Sequence, residues 1–235
     1  MSALSVKRRR GLPPSPRFLV GLGRAATVFA AALLLGGCGA TVRTGIDVAR
    51  SLVGGGEDME GAARKVAAGP YASLMMDDGR TTGVMVLGND DEGRLSWHAG
   101  RRILFLCEGG LVCGTHEMAA RLDGMQVEGH NPFLDLRAVT GTATVSRRYD
   151  WREGYRYGIP VTGTVRRIGS ESVQILDRTR ELVRYEEQLS GPDVEGTNSY
   201  WIDPATGTLW KSRQLVAPGT YIEITQLKPY RRRPQ

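Results

Sequence analysis

Cys38 is the residue whose surroundings point most directly to chemistry. Its thiol is a nucleophile once deprotonated, and it follows Gly36 and Gly37, whose small size lets a backbone enter a protease site. Upstream lie a basic segment ending at Arg24 and an apolar stretch of eleven residues, Ala25 to Leu35. A membrane-spanning helix needs roughly 20 such residues. The pattern predicts a signal peptide at residues 1–37 that is removed before Cys38.

The stretch from Leu35 to Cys38 resembles the lipobox of bacterial lipoproteins. The resemblance implies that Cys38 carries S-diacylglycerol and an N-acyl chain, and we expect no other cofactor. A single acyl chain binds membranes only reversibly, so three chains give a stable anchor. Gly39 stands where lipoproteins retained in the inner membrane usually carry Asp. We therefore expect the protein at the periplasmic face of the outer membrane.

Cys107 and Cys113 flank the glycines of a predicted hairpin. Outside the cytoplasm such a pair can form a disulfide if the Cα atoms lie within about 7 Å. A two-residue loop would pair residue 107 with residue 112 and leave Cys113 diagonal to Cys107, whereas a five-residue loop would place the two cysteines directly opposite each other. Both a disulfide and two buried free thiols remain open at this point.

Patterns for catalysis or metal binding are missing from the sequence. His98, His116 and His130 show no metal-ligand spacing, and we expect no metal site. Acidic pairs such as Asp77-Asp78 lie beside glycine, where Asp caps turns. No nucleophile elbow or phosphate-binding glycine loop occurs. We expect no catalytic residues and no enzymatic activity. An enzyme acting on polysaccharide stays open as a third hypothesis, and it would need two carboxylates across a sugar-sized cleft.

Aromatic residues are the more suggestive candidates for binding. Trp151, Tyr200, Trp201 and Trp210 could stack on the apolar face of a sugar ring or contact a partner protein. The alternative is that these four side chains pack in the core and across strands.

The distribution of charge argues against nucleic-acid binding. The chain has 31 basic and 25 acidic residues, a net charge of +6. Six of the basic residues and no acidic residue lie in residues 1–37, so the remainder is neutral. A nucleic-acid-binding surface needs an excess of positive charge.

The elements that must position these residues are mostly short strands. Residues 38–69 read as a lipidated tether with helices over Gly45 to Leu52 and Met59 to Ala67. Residues 70–235 alternate apolar and polar residues between tight turns, which predicts an antiparallel β domain. The predicted strands are 82–87, 94–98, 102–107, 111–115, 141–151, 157–168, 172–177, 181–189, 199–203, 208–216 and 221–227.

This pattern predicts an all-β fold in which a large meander sheet coils into an open half-barrel or a sandwich. Residues 169–171 read as a turn, and only Glu117 to Leu122 and Pro132 to Arg137 read as short helices within the domain. The concave side of the sheet is the natural place for a ligand.

Several segments together resemble the YjbF/GfcB family of lipoproteins, which are linked to secretion of exopolysaccharide and group 4 capsule. The most specific segment runs from Asn198 to Gln214, with Tyr-Trp-Ile-Asp-Pro, Thr-Gly and Lys-Ser elements. The others are 70–73, 110–114, 148–151 and 227–229. The resemblance implies a half-barrel-like fold and a non-enzymatic role beside a periplasmic partner and an outer-membrane β-barrel protein. Cys107 and Cys113 depart from the family pattern.

Two functions follow from these observations. The leading hypothesis is an outer-membrane lipoprotein that assists polysaccharide export by binding a partner protein or the polymer. The alternative is a carrier that holds a lipid or another hydrophobic ligand in the concave face. The first predicts an aromatic and polar lining, and the second predicts an aliphatic lining.

Overall fold

The computed structural model describes residues 59–231, so Cys38, the signal peptide and the predicted helix at 45–52 lie outside the described residues. The regular elements are α1 (Met59–Ala68), β1 (Ser73–Asp77), β2 (Thr82–Asp91), β3 (Arg94–Ala99), β4 (Arg102–Cys107), β5 (Leu111–His116), β6 (Leu122–Glu128), β7 (Thr142–Trp151), β8 (Arg156–Ile175), β9 (Arg178–Gly191), β10 (Val194–Ile202), β11 (Leu209–Ala217) and β12 (Thr220–Lys228). Short 3₁₀ helices span Glu108–Gly110, Pro132–Leu134, Leu136–Ala138 and Glu153–Tyr155. Within 59–231, no helix has the length and apolar character needed to cross a membrane.

The twelve strands form one antiparallel sheet. Every strand pairs with its neighbours in sequence except that β1 pairs with β12, while β5 and β6 are the two edges. Each pair adds right-handed twist, and a sheet of this many strands therefore curls. Here the sheet nearly closes into a barrel. The predicted all-β fold with a coiled antiparallel sheet is confirmed, in its barrel-like rather than its sandwich form.

The two edge strands meet at a seam that one side chain bridges. The Thr115 hydroxyl of β5 donates to the Ala120 carbonyl at 2.7 Å and accepts from the Leu122 amide at 2.9 Å. Strand order places no ladder between β5 and β6. At the seam between β5 and β6, the barrel is thus closed through a side chain rather than through backbone pairing.

The alternation of side chains separates a buried inner face from an outer face. In β7, Val145, Arg147, Tyr149 and Trp151 are buried, and the residues between them are exposed or partly exposed. Helix α1 covers part of the outer face, where Ala63 and Val66 pack against Val84 of β2 and Leu227 of β12. The helix was predicted, and its observed end lies one residue later.

The helix predicted over Glu117 to Leu122 is wrong. Residues 117–121 are an irregular connection and Leu122 begins β6, where a helix was expected. Six residues cannot offset the cost of nucleating a helix, whereas the strand buries Leu122 almost completely. Strands β1 and β6 were not predicted at all, because each is short or interrupted by glycine and acidic residues.

The turn predicted at residues 169–171 is also wrong. The β8–β9 ladder continues there, with Gly169 opposite Arg184 and Glu171 opposite Leu182, after a bulge between Arg167 and Gly169. A bulge bends a strand without ending it. We call residues 169–184, the distal part of this hairpin, the arm.

The bend lets the arm lie against the outer side of the sheet. Ile175 and Leu182 of the arm pack with Trp201 of β10 and Trp210 of β11. At the arm tip, Leu176 packs in the α1 cluster. The arm therefore forms a second layer beside α1.

Candidate functional site

The four aromatic residues predicted for binding lie on opposite faces of the sheet. Trp151 and Tyr200 point into the barrel and are 1% and 0% exposed. Trp201 and Trp210 lie outside, beneath the arm, and are 7% and 9% exposed. The sequence names these four residues together as candidates for contact with a glycan or a partner, and the structure separates them into a core pair and an outer pair.

A buried ion pair lies at the centre of the barrel interior. The Arg147 guanidinium contacts the Glu187 carboxylate, and the two side chains are 1% and 0% exposed. Tyr200 donates its hydroxyl proton to the same carboxylate at 2.9 Å, and the Asn198 amide donates to it at 2.9 Å. The second guanidinium nitrogen of Arg147 donates to the Tyr149 hydroxyl at 3.2 Å. Opposite charge and hydrogen bonds together stabilise the charged groups away from water.

This environment changes the ionisation of the groups within it. Burial raises the pKa of Tyr200 well above its ordinary value, and the Glu187 carboxylate raises it further. Burial also raises the pKa of Tyr149, although the Arg147 guanidinium opposes that change. Burial disfavours the charge of Arg147, but the Glu187 carboxylate together with the Tyr149 and Tyr200 phenols outweighs burial and raises the pKa of Arg147. The phenols stay protonated and the guanidinium stays charged, an arrangement typical of a structural network.

The remaining space around this network is filled by packed side chains. Phe133, from the segment between β6 and β7, lies 4.7 Å from Tyr200 between ring centroids and 5.1 Å from the Arg147 guanidinium. The Trp151 indole stacks on Tyr149 and donates its N–H to the Val216 carbonyl at 2.8 Å. The inner lining is therefore aromatic and polar, and its side chains contact one another.

Gln214 joins the last strands of the family-like segment to the first hairpins of the sheet. Its side-chain oxygen accepts the Val112 amide at 2.9 Å, and its nitrogen donates to the Gly110 carbonyl at 2.9 Å. These bonds satisfy backbone groups of the edge strand β5, which has no ladder on that side.

Asp203 builds the turn between β10 and β11. Its carboxylate accepts the amides of Ala205 at 2.8 Å and Thr206 at 3.0 Å, and Gly207 takes the positive φ that closes the turn. The turn sets the register that brings Trp201 opposite Lys211, and a bulge follows at Trp210. The bulge explains why Trp210 lies on the same outer side as Trp201.

The outer tryptophans are surrounded by arginine and lysine. The Arg180 guanidinium lies 3.5 Å from the Trp210 ring centroid. The Arg184 guanidinium and the Lys211 ammonium lie 5.3 Å and 5.4 Å from the Trp201 centroid. We call the tryptophans and these three cations the outer cluster.

Hydrogen bonds and ion pairs connect the outer cluster to neighbouring carboxylates. The Trp201 indole donates to the Glu171 carboxylate at 2.9 Å, and Arg184 donates to Glu186 at 2.8 Å. Lys211 pairs with Glu223 at 2.8 Å. Carboxylates thus balance the cations around Trp201, whereas Arg180 beside Trp210 has no carboxylate within ion-pair distance among residues 59–231.

Cys107 and Cys113 are joined by a disulfide in the structure, with Cα atoms 5.8 Å apart. Cys107 lies opposite Leu111, and Cys113 is the extra residue of a bulge in β5. This arrangement differs from both loop lengths considered from the sequence. The bulge brings Cys113 toward Cys107 although the two residues are not direct partners in the ladder.

Metal-ligand side chains are not clustered in the described residues. Across 59–231, no group of three or more His, Cys, Asp or Glu side chains is arranged to hold a metal ion. His98 contacts Ser96 at 3.1 Å, and burial lowers its pKa.

The sequence analysis missed Arg147, Glu187 and Gln214. A signal was present for Glu187, since it occupies an inward position between Tyr185 and Leu189 in the alternation of β9. A charged residue in an apolar register needs a partner, although the sequence does not identify which one.

Comparisons with known proteins agree with this architecture. The family model "Group 4 capsule polysaccharide lipoprotein gfcB, YjbF" matches residues 46–227. The uncharacterized lipoprotein GfcB of Escherichia coli K12 is 24% identical over 204 residues, which cover 84% of this chain and 95% of that protein. The crystal structure of the hypothetical lipoprotein YmcC from Escherichia coli K12 has a TM-score of 0.66 and 23% identity, and the match covers 74% of this chain and 92% of that one.

The family match spans the described strands from β1 to nearly the end of β12. The resemblance identified from the Asn198–Gln214 segment is confirmed. The chain belongs to the YjbF/GfcB family of group 4 capsule polysaccharide lipoproteins.

Proposed function

We propose that the protein is a lipid-anchored, non-enzymatic accessory of exopolysaccharide or capsule secretion. It is held through Cys38 at the periplasmic face of the outer membrane. It acts by binding a partner protein of the export system or the polymer itself. Family membership supports the link to capsule polysaccharide.

The packed interior of the barrel is the observation that supports a binding role for the outer surface. The largest inward side chains, including Trp97, Arg147 and Tyr149, are at most 1% exposed. A ligand inside would have to displace a buried ion pair, which costs several kcal/mol. Recognition is therefore expected on the outer face, where the outer cluster combines aromatic rings with cations.

The same observation weighs against the carrier hypothesis. A lipid carrier needs an aliphatic cavity that stays open for an acyl chain. The inward side chains between β7 and β10 are instead charged, phenolic and hydrogen-bonded to one another. The structure thus gives this alternative no support.

A deletion strain tests the proposed function. We expect the deletion to lose most of its surface polysaccharide and wild-type protein to restore it. Cys38→Ala removes the anchor, so we expect it to accumulate as soluble protein and to restore little polymer. Surface polysaccharide is measured by quantitative staining and by monosaccharide analysis of washed cells.

Two controls define the outcome. Immunoblots must show equal amounts of wild type and Cys38→Ala, because an unstable variant would imitate a loss of anchoring. Normal surface polymer in the deletion strain would refute the export role. Full restoration by Cys38→Ala would refute the requirement for the anchor.

A further inference from the structure

A cleft of about 350 Å³ lies between the arm tip and the end of β12. Trp210, Arg178 and Arg180 line one side, and Leu227 and Lys228 line the other. Small-molecule sites typically occupy roughly 300–1,000 Å³. The cleft is large enough for a ligand of one or two sugar units.

The basic groups in this cleft lack acidic partners. No carboxylate lies within ion-pair distance of Arg178, Arg180 or Lys228 among residues 59–231. Lys228 donates to the Gly69 carbonyl, which leaves its charge uncompensated. Asp177, the acidic residue of the cleft, pairs with Arg64 at 3.0 Å. The cleft therefore carries a local excess of positive charge.

Arg180 and Trp210 each carry an N–H group that has no hydrogen-bond partner among residues 59–231. The Arg180 guanidinium stacks 3.5 Å from the Trp210 centroid, which fixes its plane and leaves its edge nitrogens free to form a fork. In these two residues, the groups without a partner in the described part of the chain are the buried Trp210 indole N–H and the buried Arg180 Nε–H. Burial lowers the pKa of Arg180, and the neighbouring Arg178 charge lowers it further, while Asp203 acts in the opposite direction. Buried donors without partners cost free energy, and an acceptor that reached them from the cleft would remove that cost.

The rest of the lining is apolar. Ile175, Leu176, Leu227 and Pro229 lie beside the basic groups. A pyranose ring offers an apolar face and a polar edge, whereas an inorganic anion uses only the charged part of the cleft.

We infer that this cleft binds an acidic sugar residue, with the carboxylate on Arg178 and Arg180 and the ring against Trp210 and Leu227. The inference rests on the proposed function, since it names the class of polymer that the protein would engage. A planar carboxylate matches the guanidinium fork, so an arginine pair favours a uronic acid over a neutral sugar.

The test is calorimetric titration of the detergent-solubilised lipoprotein with tetragalacturonate and with its neutral methyl ester. We expect the acid to bind at least about tenfold more tightly, because hydrogen bonds to charged groups contribute more than neutral ones. Arg178→Gln with Arg180→Gln should weaken acid binding by at least about tenfold. Added salt should weaken it as well, because charges at the surface are screened.

Arg101→Gln with Arg121→Gln is the matched control. It removes the same charge from exposed residues on the connections before β4 and β6 and should leave binding unchanged. If the cleft variant melts at a lower temperature than the control, Arg178→Gln alone replaces it, because Arg178 is exposed. Trp210→Phe keeps an aromatic ring but removes the indole donor, and it should weaken binding of both oligosaccharides.

Three results would overturn the inference. They are equal affinity for the acid and the ester, acid binding that the cleft variant does not weaken, and binding of glycerol 3-phosphate more tightly than the uronate. The last result would assign the cleft to phospholipid headgroups. In each case a deletion strain that still requires the protein for surface polymer would leave the proposed function standing, whereas normal polymer in that strain would remove the proposed function itself.

Discussion

At the scale of residues, the Arg147–Glu187 pair is the most consequential contact in the barrel. We predict that Glu187→Gln lowers the free energy of unfolding by about 3–5 kcal/mol, because the guanidinium stays buried without its counter-charge. For a domain of this size the melting temperature would fall by about 10 °C. Chemical and thermal unfolding followed by circular dichroism measure both quantities.

Glu195→Gln is a suitable control because Glu195 is exposed on β10. We expect a change of less than about 0.5 kcal/mol there. Replacing both partners, as Arg147→Met with Glu187→Leu, should cost less than the sum of the single changes, since no charge is left unpaired. A cost for Glu187→Gln as small as for the control would contradict a structural role for the ion pair.

The raised pKa values of Tyr149 and Tyr200 predict that the protein loses stability in alkaline solution. Both phenols have a raised pKa in the folded protein, so below pH 10 both states are protonated and this contribution to stability is complete. Above pH 10 the unfolded chain loses these protons and the folded chain keeps them. Stability therefore falls by about 1.4 kcal/mol per pH unit for each phenol.

Phenolate absorbance and circular dichroism, recorded together as pH rises, measure this effect. We expect the two buried phenols to ionise only as the sheet unfolds. The double variant Tyr149→Phe with Tyr200→Phe should show a shallower decrease, and Tyr155→Phe, with an 83% exposed side chain, is the control. Ionisation of both phenols before unfolding would refute the prediction.

At the scale of residues, the sequence identified the residue types better than the places where their side chains lie in the fold. It pointed to Trp201 and Trp210 together with Trp151 and Tyr200, although the adjacent residues Tyr200 and Trp201 alternate between the two faces of the sheet. The bulge beside Trp210 then places Trp210 on the same side as Trp201. Bulges depend on pairing between strands and leave little trace in one strand alone. The Arg147–Glu187 pair joins positions 40 residues apart, so local patterns could not find it.

At the scale of elements, the disulfide ties the β4–β5 hairpin beside the seam of the barrel. We predict that the native protein resists alkylation at Cys107 and Cys113 and takes up two alkyl groups only after reduction. Closing so short a loop stabilises the fold by about 2 kcal/mol. Cys107→Ser with Cys113→Ser should lower the free energy of unfolding by about that amount.

Intact-mass analysis before and after alkylation and unfolding in urea provide the measurements. A conservative change at the exposed turn residue Arg101 serves as the control for the stability comparison. Alkylation of both thiols without reductant would show that the bridge is absent from the native protein.

Most strands could be predicted from alternation and turn residues, and the exceptions have identifiable causes. Strand β6 contains Asp123 and Gly124, which favour turns, yet it forms because it can pair with β7. The region of β8 was interpreted as two strands, 157–168 and 172–177, because Gly169, Ser170 and Glu171 are typical turn residues. Pairing across the hairpin overrides these local preferences, which sequence patterns cannot show.

At the scale of the whole molecule, the predicted site of action depends on the residue after Cys38. We predict that Gly39→Asp redirects the lipoprotein to the inner membrane, since Asp at this position is typical of retained lipoproteins. Density-gradient fractionation of membranes measures the redistribution, and surface polysaccharide should fall with it. Gly39→Ala preserves a small neutral residue and should stay in the outer membrane. Retention of Gly39→Asp in the outer fraction would contradict the sorting prediction.

The pairing of β1 with β12 makes the connectivity of the sheet circular. Joining the start of β1 to the end of β12 and opening the chain between β5 and β6 would break no ladder, because no backbone ladder joins those two strands. Any rearranged gene that begins at β6 and ends at β5 thus encodes the same eleven strand pairings. The order in which the polypeptide is synthesised is therefore a historical property of this family rather than a requirement of its architecture.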